Sequence, residues 1–176
     1  MHRMASVLAI VVAAPLAAEA QHSPPQPYAG LDSRTVKALS AEQIADLKAG
    51  RGMGLALPAE LNGYPGPTHV LELAGPLDLT PDQRTRTEAL VVAMKAEAIP
   101  LGERLIASEA ALDRLFAEKR VTVDTLQDAS TQIGVAQAAL RTAHLRYHLD
   151  MLAVLTPEQT ARYGALRGYG GGTHRH

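Results

Sequence analysis

Apolar and polar residues alternate along this chain with a helical period over most of its length. From Pro81 to about Lys119, apolar or small residues recur at Val91, Met94, Ala98, Leu101, Leu105, Ser108, Leu112 and Leu115. Steps of three and four mark one stripe of an amphipathic helix. A second stripe, Leu126, Ala129, Ile133, Ala136, Leu140, Ala143, Tyr147 and Val154, predicts another long helix from Thr122 to about Leu155. Lys119-Arg120-Val121 makes the turn between them, so the pair is an antiparallel αα-hairpin. Pro100 lies inside the first helix. A proline there removes one hydrogen bond and crowds the preceding turn, predicting a kink near Ala96 to Pro100. A further apolar row, Leu145, Leu149 and Leu152, lies outside the second stripe. One hairpin partner cannot cover both rows; a short helix folding back, a second subunit or an open ligand surface are the alternatives.

The phrase Leu-Thr-Pro-x-Gln brackets this hairpin, as Leu79-Thr80-Pro81-Asp82-Gln83 and Leu155-Thr156-Pro157-Glu158-Gln159. Each is a helix start: Thr as N-cap, Pro in the first turn, and Gln placed to close a capping box. The second opens a short helix to about Arg167, ended by Gly168. Ser40-Ala41-Glu42-Gln43 repeats the capping pattern for a helix near 40–49, and Thr68–Ala74 reads as another short helix. A possible helical turn covers Pro58–Leu61.

Around these elements, residues 1–20 read as a signal peptide. His2 and Arg3 precede an apolar run from Met4 to Ala18, and Ala18-Glu19-Ala20 offers a cleavage site before Gln21. The run is too short for a membrane anchor, which takes roughly 20 apolar residues. Residues 21–67 form a leader with one short helix and a Gly/Pro-rich linker. The Gly50-Arg51-Gly52-Met53-Gly54 stretch lacks the Gly-Lys-Ser/Thr ending and preceding strand of a phosphate loop, and reads as a flexible connection. The alternative for this region is a surface that folds over the hairpin or grips a partner. Residues 68–168 are the hairpin domain, and 169–176 a flexible tail.

Composition narrows the class. Aromatic residues are 3% of the chain, with one Phe and no Trp, so the core is built from Leu, Ala, Val, Ile and Met. A core that thin suggests an elongated hairpin or a dimer. With no Cys, disulfides and thiolate metal sites are excluded. A formal net charge of −1 gives no general basis for binding nucleic acid.

The paired Leu-Thr-x-x-Gln phrases, flanking a helical hairpin behind a secretion signal, resemble the Spy/CpxP family of periplasmic proteins. The resemblance covers about residues 68 to 168. It implies an all-α fold, a long kinked hairpin with short flanking helices, paired into a homodimer. It also implies a periplasmic, ATP-independent chaperone or stress adaptor that holds unfolded envelope proteins, or a regulator contacting the periplasmic domain of a membrane sensor. Met94, Ile106, Leu145, Leu149 and Leu152 are the apolar residues suited to client contact, with Arg141 and Arg146 as basic neighbours.

Candidate chemistry is sparse. No Gly-x-Ser-x-Gly or His-Glu-x-x-His pattern occurs, and no catalytic residue or required cofactor is assigned. His144 and His148, at i and i+4, project from one side of a helix and can share a metal ion such as zinc, copper or nickel. Tyr147, Asp150 and Met151 are close in sequence, but no complete ligand set emerges. The plainer reading has both imidazoles half exposed at the hairpin surface, binding nothing. His174 and His176 in the tail could also chelate; His22 and His69 receive no role.

Overall fold

The computed structural model describes residues 26–169; the expected signal peptide and the last residues of the tail lie outside the described residues. Within them are six helices and no strand: α1 (Ala41–Lys48), α2 (Leu57–Glu60), α3 (Pro67–Glu72), α4 (Pro81–Ala117), α5 (Val123–Met151) and α6 (Pro157–Leu166), after a 3-10 turn at Leu31–Ser33. The fold is all-α, as the periodicity predicts. No helix among the described residues is long and apolar enough to cross a membrane.

Local chemistry fixes the helix starts. Ser40, Thr80, Thr122 and Thr156 each accept a hydrogen bond from the backbone N–H three residues on, and that residue's side chain accepts one from the cap's own N–H. Both halves of a capping box are thus present four times. Pro81 and Pro157 occupy the first turn, where a missing N–H costs nothing. α4 runs for 37 residues, roughly 55 Å at the α-helical rise, as one element through Pro100. Lys119 adopts a left-handed φ of 54° in the turn that sends α5 back along α4.

Two apolar clusters hold the elements together. In the first, Leu47 of α1 meets Ala98 and Leu105 of α4 and Ile133, Ala136 and Leu140 of α5. Small residues let backbones approach here. Gly102 is buried, and a Cβ added to it would lie 2.6 Å from the Leu47 carbonyl oxygen. In the second, Val70 of α3 and Leu77 join Met151, Val154, Leu155 and Tyr163, where α6 folds back beside the start of α4.

The segment between α1 and α3 differs from the expected flexible linker. α2 packs on α5 and α1 on α4, Gly50 is buried against Ile99, and Pro65 and Pro67 are fully buried. The chain there folds over the hairpin because its prolines fix the backbone while Ala59 and Glu60 anchor it.

Candidate client surface and a buried carboxylate centre

Glu60 ends α2 and is 5% exposed. A carboxylate so placed must be fully hydrogen-bonded or its burial is prohibitive. Partners converge on it from four parts of the chain. The Gly66 N–H donates to Oε2 at 3.1 Å, His69 Nδ1 lies 3.1 Å from Oε1, and the Tyr163 hydroxyl donates to Oε1. The Tyr169 hydroxyl is 3.3 Å from Oε1, His148 Nδ1 3.5 Å from Oε2, and Arg167 Nε 3.9 Å from Oε1. Burial pushes the Glu60 carboxyl up; the hydrogen bonds from His69 and Tyr163 and the charge of His69 and His148 outweigh it and hold it below its ordinary 4.5. Burial and the neighbouring carboxylate raise the Tyr163 phenol well above its usual range, so it stays a donor.

The two α5 histidines sit beside this centre. They are 2% and 7% exposed, not half exposed as the plainer reading of the sequence has it. His148 Nδ1 donates to the Tyr64 carbonyl at 2.7 Å, which fixes its ring. His144 lies beneath Gly52, 3.7 Å from where a Cβ would stand, and its Nε2 has no hydrogen-bond partner. Burial, then repulsion from His148, lowers its pKa from 6.5, keeping it neutral. Among the described residues no group of three or more His, Asp or Glu is arranged to hold a metal ion. Tyr147, beside the pair in sequence, turns to α4, its hydroxyl donating to Glu97 at 3.1 Å.

The expected client residues divide by exposure. Leu149 and Leu152 stand 58% and 43% exposed, and Leu145 is half-buried. Met94 is 7% exposed, a correction to its place among surface contacts: the α4 stripe that carries it faces the core. Ile106 packs, half-buried, on the first apolar cluster. Arg146 is tied to Glu97 and lies over the Tyr147 ring, its guanidinium carbon 4.9 Å from the centroid. Arg141 is exposed beside a groove near α1. A second groove of about 610 Å³ opens between α2, the end of α5 and α6; Leu61, Leu152, Leu155, Pro157 and Ala161 line it, with Glu60 and Tyr163 at its base.

The Glu60 centre escapes a reading by sequence because its partners are distant: His69, Tyr163 and Tyr169 lie 9, 103 and 109 positions away. The one available signal is the rigid Tyr64-Pro65-Gly66-Pro67 run that begins four residues after the Glu60 carboxylate.

No curated protein and no solved structure matches the chain. The model of the LTXXQ motif family matches residues 69–167, from α3 through α6. This hairpin, with its two capping phrases brought side by side, belongs to the LTXXQ motif family.

Proposed function

We propose that the chain is a periplasmic, ATP-independent chaperone or stress adaptor that holds unfolded polypeptides on the open end of its hairpin. The observation that carries this reading is the uncovered apolar row: Leu149 near the end of α5, with Leu152 just after it and Leu61 just after α2, 57% exposed, these two lining an apolar groove of about 610 Å³. Apolar patches left open on a small protein mark interaction sites. Arg162 and Arg167 add charge near the groove through their pairs with Asp78 and with Glu60 and Glu72. Shallow contacts rimmed by charge suit weak, many-sited capture, which needs no nucleotide and no catalytic residue. Family membership and the leader-like residues 1–20 favour the periplasm, and a homodimer would double the surface. A sensor's periplasmic domain is the partner in the regulatory version of this role.

Light scattering of several unrelated denatured clients tests it. Equimolar exported chain should suppress their aggregation, and Leu149→Glu with Leu152→Glu should abolish most of that effect while leaving the fold intact. Absence of suppression across all clients rejects the reading.

One observation favours metal binding as a second reading: a buried imidazole nitrogen without a partner on His144, one turn from His148. Calorimetric titration with zinc, copper and nickel tests this. Saturable binding lost in the His144→Ala, His148→Ala chain supports it; no saturable heat rejects it.

A further inference from the structure

Between α1 and the middle of the hairpin runs an open groove of about 490 Å³, which shares no lining residue with the groove beside α6. Its walls are fixed in place. Leu47 seats α1 between α4 and α5, and Gly50 is buried against Ile99, so the groove is a preformed feature of the folded chain. Buried Leu47, Leu105 and Leu140 form its floor, and Leu39, Met53 and Leu55 rise on the α1 side. The α5 side is low and uncharged. No charged residue occurs from Ala129 to Leu140, and a Cβ on Gly134 would meet nothing within 4 Å.

Three polar side chains line the groove, and what they offer is mainly donors. Gln43 accepts the Ser40 N–H at 2.8 Å on its amide oxygen, which leaves its NH2 group as the free end. Gln137 presents a second amide from α5, one turn before Arg141. Arg141 is exposed and carries donors only. Among the described residues it pairs with no carboxylate. Arg146, Arg162 and Arg167, by contrast, each pair with one. No acidic residue lines the groove. An aliphatic trough with an unpaired cation and two amides is complementary to an apolar body with a negative, acceptor-only head.

We propose that this groove binds a single-chain aliphatic carboxylate, its tail laid along Leu39, Leu55 and Leu105 and its head on the Arg141 guanidinium. The fork of Arg N–H donors matches the two oxygens of a carboxylate. A hydrocarbon tail suits these walls better than a peptide does, because a peptide brings backbone N–H and C=O groups that aliphatic side chains leave unpaired. This site is independent of the chaperone reading: neither Leu149 nor Leu152 takes part in it.

Calorimetric titration of the exported chain with sodium decanoate tests the site. Decanoate should bind at one saturable site, while acetate, a head without a tail, and decyltrimethylammonium, a tail with the opposite charge, should give no saturable heat. Decanol, with the same tail and no charge, should bind about tenfold more weakly. Arg141→Gln should bring decanoate down to the decanol level and leave decanol unchanged. Gly134→Leu with Ala138→Leu fills the α5 side and should abolish both, with hydrogen exchange in α4 and α5 unchanged. Backbone amide resonances of Leu55, Gly134 and Ala138 should shift as decanoate is added. An apolar pentapeptide with a free C-terminal carboxylate should bind more weakly than decanoate. No saturable binding of decanoate, equal affinity in wild type and Arg141→Gln, shifts confined to α6, or tighter binding of the peptide each overturns the proposal. Failure of the aggregation assays would remove the chaperone reading and leave this site standing.

Discussion

Gln83 and Gln159 exchange side-chain amide hydrogen bonds, Nε2 of Gln83 donating to Oε1 of Gln159 at 2.7 Å and Nε2 of Gln159 to Oε1 of Gln83 at 3.0 Å. Each amide oxygen also accepts its own cap's N–H, from Thr80 and from Thr156. Each Nε2 has a second acceptor, the Val154 carbonyl for Gln83 and the Leu77 carbonyl for Gln159. All the bonding capacity of both side chains is used. The repeated phrase is therefore one structural unit, a pair of capping boxes locked face to face, which joins the start of α4 to α6.

Gln83→Ala or Gln159→Ala should lower stability by about 2 kcal/mol each, since each opens a capping box and strands part-buried partners. Because the two share bonds, the double variant should cost less than the sum, with a coupling of about 1 kcal/mol. Urea unfolding of the four chains measures the cycle. Additive losses would mean that the exchange contributes nothing beyond the separate caps.

Glu60 sets an acid limit. Its carboxyl lies below its ordinary 4.5 in the fold, so its contribution is complete above that value and is lost as pH falls through the folded value. Glu60→Gln removes this dependence and leaves Tyr163 and His69 with a weaker acceptor, costing about 2 kcal/mol at pH 7. Thermal melts from pH 7 to pH 3 should show a steep loss below about pH 4.5 in wild type and a flatter profile in the variant.

His144 acts at milder acidity. Burial and His148 lower its pKa from 6.5, so the unfolded chain takes the proton first as pH drops below that value. Its effect is absent above about pH 6.5 and destabilising below it. His144→Leu should abolish the component of the melting profile that sets in as pH falls below about 6.5. At pH 8 it should raise stability by about 1 kcal/mol, because an unpartnered buried nitrogen is removed. A loss of stability at pH 8 would show that the imidazole has a partner in solution.

Much of this architecture is legible in local sequence. Capping boxes at Ser40, Thr80 and Thr156 depend only on residues three apart, and the hairpin follows from two in-phase stripes; the box at Thr122 closes on Thr125 instead of a Gln and shows only in the structure. What sequence leaves hidden is which stripe residues meet which neighbour. Met94 fits a client contact and a core position equally by spacing, and only its burial in the fold decides. The leader shows the same limit. Glycines at 50, 52 and 54 read as looseness, yet a Cβ at Gly50 would press on Ile99 at 3.2 Å, and Gly52 lies over His144. Glu60 and His69 are unremarkable charges until α6 returns with Tyr163.

Two helical glycines should respond in opposite directions to the same substitution. Gly134 in α5 is exposed, and a Cβ there meets nothing within 4 Å. Gly134→Ala should therefore gain about 1 kcal/mol, the ordinary advantage of Ala over Gly inside a helix. Gly102 in α4 is buried under α1, where a Cβ would stand 2.6 Å from the Leu47 carbonyl oxygen and 3.2 Å from its Cβ. Backbone cannot give way as a flexible side chain can, so the contact between α1 and α4 must widen. Overpacking of this kind costs about 1–3 kcal/mol, more than the helix-propensity gain returns. Its full size is capped by the docking strength of α1, because a detached α1 no longer feels the methyl group. Denaturant unfolding of both variants, followed by far-ultraviolet circular dichroism, gives the comparison. Equal gains from both would mean that α1 does not rest on Gly102 in solution.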